Sequence, residues 1–270
     1  MSNPIEHGDP WQALRVLTQA RIALGHTGVS QPTRAQLDFQ LAHARARDAV
    51  HQALATTELM EALALAWSGS SPPLLLHSAA ENRGVYLQRP DLGRRLDAAS
   101  RALLAGRRCD AAERPYDLAI VVADGLSAAA VAQHAAPLLR ALRALPAAQA
   151  WVTAPLAIVE QGRVAIGDEI GELLGAKLVV VLIGERPGLS SPDSMGLYLT
   201  WMPRVGLTDE RRNCISNVRP AGLGFDEAAA KLQHLLTEAR RRQLTGVALK
   251  DETDAGDALA APERRPFLLG

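Results

Sequence analysis

The run Leu178-Val-Val-Val-Leu-Ile183 decides the fold. Its six consecutive apolar residues, four of them β-branched, show no alternation. That is the pattern of a strand covered on both faces, as in a parallel sheet packed between helices. Just upstream, Asp168–Leu174 reads as a short helix closed by Gly175. Before it, Ala154–Val159 reads as a second strand that turns at Gln161-Gly162 into the short segment Arg163–Ile166. Further back, Asp117-Leu-Ala-Ile-Val-Val-Ala123 is another β-branched run. It ends at Asp124-Gly125 and leads into an Ala-rich helical stretch, Ser127–Leu145, which Pro137 should kink or divide. Downstream, Phe225–Arg242 sets Ala229, Leu232, Leu235, Leu236 and Ala239 on one helical face. Its terminal arginines suit the negative end of the helix dipole. Strand–turn–helix units in succession predict an α/β fold, a Rossmann-like, mostly parallel sheet flanked by helices.

The first hundred residues read differently. Trp11–Leu24 has apolar residues at helical spacing and stops at Gly25. Thr33 is a candidate N-cap for Arg34–Leu54, whose stripe is Leu37, Leu41, Ala44, Ala49, Val50 and Leu54. Glu58–Trp67 continues the helical character up to Ser68–Pro73, and Asp91–Ala105 reads as one more helix after Pro90. Nothing here alternates like a sheet. The character changes at Arg114-Pro115. The expected organisation is an N-terminal helical segment (1–112), an α/β domain (113–245) and a polar, loosely held tail (246–270). No internal repeat is found.

With 270 residues the chain can bury a substantial core without disulfides or metals. Positive and negative side chains balance at 29 each, so electrostatics gives no case for nucleic acid or a membrane as partner. Lys177, Lys231 and Lys250 are the only lysines. An Ala/Arg-rich, Lys-poor composition of this kind is usual for a GC-rich bacterial genome. Cys109 and Cys214 form neither a disulfide framework nor a CxxC pair. The start, MSNPIEHGDPW, lacks the basic and apolar regions of a signal peptide. No stretch approaches the roughly 20 apolar residues that span a bilayer. These features lead us to expect a soluble, cytoplasmic protein.

In an open parallel sheet, ligands bind beyond the carboxyl ends of the strands. Three expected loops fall there: Asp124–Ser127, Gly184–Ser194, and a long stretch from Pro203 to Gly224 that includes Asn213–Asn217. None follows a GxGxxG fingerprint and no GxxxxGK[ST] occurs, so dinucleotide and P-loop readings lose their support. His43 and His51 lie two turns apart on one predicted helix and read as a surface pair rather than metal ligands. Ser190, Ser191, Asp193 and Ser194 share a loop with no histidine near them in sequence, which leaves a hydrolase triad without support. Glu185 closes the central strand after one glycine; it is either a solvated carboxylate or a cleft-lining acceptor. Cys214 is either an inert buried thiol or a cleft residue. The residues alone therefore give an α/β domain with a polar cleft and no acid, base, nucleophile or metal-ligand set.

Longer strings say more. ARIALGHTG (Ala20–Gly28), LDFQLAHARARDAVH (Leu37–His51), YLQRPDLGRRL (Tyr86–Leu96) and DLAIVVADGLSA (Asp117–Ala128) resemble the small subunit of ethanolamine ammonia-lyase. So do GRVAIGDEIGELLGAKLVVVLIGERPGLSSPDSMGLY (Gly162–Tyr198) and RNCISNVRPAGL (Arg212–Leu223). The likeness is collinear from about residue 10 to 250. It implies one half of a heteromeric carbon–nitrogen lyase that converts ethanolamine to acetaldehyde and ammonia by radical chemistry. The large partner subunit would carry the active site, and adenosylcobalamin would be held where the two subunits meet. The family's cofactor contacts carry over to Val164 in GRVAIGDE, Glu185 in GERPG and Cys214 in NCISN, and all three motifs are intact. Arg163 could reach an amide or phosphate. The DxHxxG motif by which some other cobalamin enzymes supply a histidine to cobalt is missing. The cofactor is therefore expected base-on, with no metal ligand and no catalytic residue from this chain. A bacterial microcompartment is a compatible setting. Two other readings were a stand-alone nicotinamide-dependent oxidoreductase, weakened by the absent glycine fingerprint, and a structural microcompartment protein, weakened by the cleft loops.

Overall fold

The structure, a computed structural model, describes residues 10–67, 71–107, 116–146 and 150–250. Cys109, the Arg114-Pro115 boundary and the tail from 251 onward lie outside the described residues. Six strands form one sheet: β1 (Leu74–His77), β2 (Leu118–Ala123), β3 (Ala157–Glu160), β4 (Leu178–Gly184), β5 (Met195–Trp201) and β6 (Arg212–Val218). Their order is β1-β3-β2-β4-β5-β6. The first four pair in parallel, and β5 and β6 add antiparallel at one edge. β4 is buried at every position, as its unbroken apolar run predicts.

Among the described residues seven α-helices accompany the sheet: α1 (Thr33–His51), α2 (Thr56–Ala66), α3 (Arg83–Gln88), α4 (Ala98–Ala105), α5 (Ala128–Ala144), α6 (Ile166–Leu174) and α7 (Phe225–Arg242). On one face, α2, α5 and α7 bury Leu63, Leu138, Leu139, Leu232 and Leu236 against Ile120, Val122, Val180, Leu182, Leu197 and Ile215. Burying one such side chain contributes about 1.5–3 kcal/mol, so this layer holds most of the fold's cohesion. On the other face, α4 and α6 pack Leu104, Ile166 and Ile170 against Ala119, Val121, Val179, Val181 and Ile183. That second layer is smaller. It covers β2 to β4 and leaves Cys214 on β6 exposed.

The sheet draws β1 from the stretch read as wholly helical, so it reaches back across the boundary expected at residue 112. Four residues are too few for a pattern to show, and only pairing with β3 makes them a strand. The long loop expected from Pro203 to Gly224 contains β6, and β5 was missed altogether. Both belong to the antiparallel edge, where one face is less covered and the apolar run is broken by polar residues. The helix expected over Asp91–Ala105 is interrupted. Leu92–Arg94 makes one 3-10 turn, the chain extends through Leu96, and the Asp97 carboxylate caps α4 by accepting from Ser100 N at 2.7 Å. Trp11–Leu24 is not a helix beyond the 3-10 turn Pro10–Val16. Val16 and Leu17 stay exposed, and short helices without a packing surface are marginal in water. α1 does form, but Leu37 and Leu41 of its stripe remain exposed and only Ala49 is buried. α5 runs through Pro137 undivided.

Beyond α7 the chain is held more firmly than expected up to Leu249, which is buried. Thr245 Oγ1 donates to Arg211 O (2.7 Å) and accepts from Trp201 N (2.8 Å). Asn213 bonds both Gly246 N (2.8 Å) and Leu249 O (2.7 Å). No helix among the described residues is long and apolar enough to cross a membrane.

Candidate functional site

The carboxyl ends of β2 and β4 approach so closely that only glycine fits between them. Gly125 has φ +57°, and a side chain on it would strike the Gly184 carbonyl. Above this junction lies a cleft of about 390 Å³ lined by residues that include Tyr86, Arg163, Val164, Glu185, Arg186 and Tyr198. Val164 stands just ahead of α6 and its carbonyl accepts from Gly167 N at 3.1 Å, so the first turn of α6 fixes it. Glu185 leaves the end of β4 and lies across Gly196 of β5. A Cβ added to Gly196 would come within 2.9 Å of Glu185 Oε1.

Glu185 is held by one oxygen. Oε2 accepts from the Ser194 hydroxyl and from Asn217 N (3.2 Å), while Oε1 bonds to no described residue. Next along the sheet is Tyr198, paired in register with Cys214. The Tyr198 hydroxyl and the Cys214 thiol interact across this pair. Burial pushes the Tyr198 hydroxyl up, reinforced by Cys214 and Glu185. Burial also pushes the Cys214 thiol up; Tyr198 opposes this and Glu185 adds to it. The residue is exposed at this edge of the sheet, and the partial burial of its thiol, with the Glu185 charge nearby, favours the protonated form.

The floor is charged. Asp124 ends β2 and accepts from Gly162 N (3.0 Å), with Arg83 Nη1 at 3.5 Å. Even so, burial pushes its carboxyl up to about 6. Tyr86 is fully buried, donates to Gly162 O (3.1 Å) and has two guanidiniums against its ring, Arg83 at 4.7 Å and Arg163 at 4.2 Å from the ring centre.

Two ion-pair networks brace the cleft. Asp168, one turn into α6, receives Arg212 of β6 in a bidentate pair at 2.6 and 2.7 Å, and both side chains are 2% exposed. This ties the element that carries Val164 to the strand that carries Cys214. The loop after Glu185 is pinned from the other face of the sheet. His134 of α5 meets Asp193 at 3.2 Å, and Asp193 also receives Arg219 at 3.3 Å. The serine-rich loop therefore does have a histidine beside it, brought from 59 residues away. Ser194 is bonded to Glu185 rather than to that imidazole.

Of the three residues singled out, Val164 and Glu185 line one cleft, and Cys214 joins it through Tyr198. Cys214 sits in a strand rather than a loop, and its exposure comes from the missing helical cover. Asp124 and Ser194 lie in two of the loops expected at the cleft, whereas Tyr198 and Tyr86 were not among the expected participants. An aromatic alternating with apolar residues in Met195–Trp201 was the one available signal for Tyr198.

Known proteins resemble this chain along most of its length. The family model described as "Ethanolamine ammonia-lyase light chain (EutC)" matches residues 8–250. A protein of Ralstonia nicotianae named ethanolamine ammonia-lyase small subunit is 59% identical over 261 residues, covering 97% of this chain and 94% of that one. One of the same name from Pseudomonas aeruginosa is 59% identical over 263 residues, with the same coverages. One from Pseudomonas fluorescens is 60% identical over 253 residues, covering 92% and 89%. The chain belongs to the ethanolamine ammonia-lyase light-chain family.

Proposed function

We propose that this chain is the small subunit of an adenosylcobalamin-dependent ethanolamine ammonia-lyase, acting with a large subunit to convert ethanolamine to acetaldehyde and ammonia. The observation that carries the reading is the open strip of sheet beside α6. Among the described residues, Val164 and Glu185 line one cleft there and Cys214, beside it, stays exposed. A corrinoid is far larger than a 390 Å³ cleft, so the surface suits half of a site that a partner completes.

The donor set fits the group. The corrin periphery is fringed with amide side chains that both donate and accept hydrogen bonds. Glu185 is anchored through Oε2 and keeps Oε1 available to accept from such an amide. The Cys214 thiol and the Val164 main chain offer a weakly polar and an apolar edge. When bound, adenosylcobalamin supplies the radical chemistry. This chain's residues hold and orient it and keep water from one side. The same reading places the complex in the cytoplasm, or in a microcompartment where the organism builds one.

Glu185→Ala tests the site. Losing a hydrogen bond to a charged acceptor should weaken cobalamin binding by about 10- to 100-fold while association with the large subunit is retained. Unchanged cobalamin affinity would remove Glu185 from the site.

A further inference from the structure

The two guanidiniums against Tyr86 are not equivalent. Arg83 has its counter-charge inside the protein: Nε donates to Val50 O (2.6 Å), Nη1 to Gly125 O (2.8 Å) and Gln161 Oε1 (3.3 Å), and Asp124 lies at 3.5 Å, although its Nη2 is buried without an acceptor. Arg163 is held just as firmly and used far less. Its backbone N donates to Gly93 O (2.8 Å), and Nη2 reaches Tyr86 O (3.2 Å). Its side chain packs so tightly on Gly93 that a Cβ there would lie 2.8 Å from Arg163 Cγ. Among the described residues no carboxylate pairs with Arg163, and its Nε is buried without an acceptor. The side chain nevertheless forms part of the cleft wall.

A half-buried cation with no counter-charge loses hydration without recovering it, unless an anion completes the site. A planar guanidinium fixed by stacking is suited to an oxyanion, which can accept two of its N–H groups. Arg186 adds to this charge: it is exposed at the same cleft and bonds to no described residue. Glu185 lines the same cleft but forms no ion pair with either guanidinium; its Oε2 is bonded to Ser194 and Asn217 N.

We propose that Arg163, supported by Arg186, binds the phosphodiester that links the corrin ring to the nucleotide base of the cofactor. This rests on the cobalamin reading given above. It assigns Arg163 a separate role, recognition of the tail's negative charge, while Glu185 meets the amide fringe.

Two ligands test it on the complex of this chain with its large subunit: cyanocobalamin, and cobinamide, which has the same ring but no phosphodiester or base. Arg163→Gln should weaken cyanocobalamin at least about tenfold and change cobinamide less than about twofold. Arg163→Lys should fall between, because it keeps the charge and loses the fork. Arg186→Gln, at an exposed position that does not endanger folding, should show the same selectivity at smaller size. Equal losses for both ligands, or unchanged cyanocobalamin affinity in both glutamine variants, would overturn the assignment. A wild-type complex that binds neither corrinoid would overturn the cofactor reading beneath it, which is a distinguishable result.

Discussion

Tyr198 and Cys214 face each other across the β5–β6 ladder, and their phenol and thiol interact where Cys214 is exposed among the described residues. The contact holds Cys214 against the cleft and moderates the upward push of burial on its thiol. Tyr198→Phe should therefore raise that thiol further and slow its alkylation at fixed pH. Glu185→Gln, by removing a nearby negative charge, should speed it. Peptide-resolved alkylation rates at Cys214 between pH 7 and about 10 would show the two shifts in opposite directions.

Gly196 gives Glu185 its resting place. Gly196→Ala puts a methyl 2.9 Å from Oε1, so the carboxylate must move. Gly196 has no positive φ, although the β5–β6 register shifts at this position. The atoms an added Cβ meets first belong to side chains, so folding should be changed by no more than about 1 kcal/mol. Cobalamin affinity should fall. A thermal melt together with a corrinoid titration of the complex separates the two effects.

The Asp168–Arg212 pair should be costly to halve. Arg212→Met leaves a carboxylate that is 2% exposed without its partner, and a loss of about 3–5 kcal/mol in urea unfolding is expected. Replacing both members with apolar residues should recover most of that loss, because the desolvation of both charges is removed together. A double variant as unstable as the single one would contradict this.

Asp124 makes stability depend on pH in an unusual direction. Burial holds its carboxyl near 6 in the folded chain, against 3.8 ordinarily. The folded state thus binds the proton more tightly. This contribution is fully present below about pH 4 and is lost as pH rises through about 6. Relative to Asp124→Asn, the wild-type chain should lose up to about 3 kcal/mol across that window. A difference between the two that stays flat from pH 4 to 7 would show that Asp124 does not titrate this way.

Much of this was legible in the residues. β2, β4 and α7 announce themselves because burial on both faces, or on one helical face, imposes a pattern that survives out of context. β1 and β6 do not. Four residues of β1 become a strand only through β3, and β6 is a mixed edge whose polar members read as a loop. Glu185 could be placed at a strand's carboxyl end from sequence, and the family resemblance singled out Val164 and Cys214. What sequence could not supply were the partners: Tyr198 for Cys214, Gly196 beneath Glu185, and Asp168 with Arg212 across 44 residues. Those depend on the register of an antiparallel edge that no local pattern encodes.

The central claim is that this chain supplies half of a cobalamin site and that a large subunit completes it. The direct measurement is cobalamin retention and acetaldehyde formation from ethanolamine by this chain alone, by the large subunit alone, and by the two co-expressed. Retention and activity confined to the co-expressed pair are the predicted result. Acetaldehyde formed by this chain alone, or no gain when the large subunit is added, would contradict it.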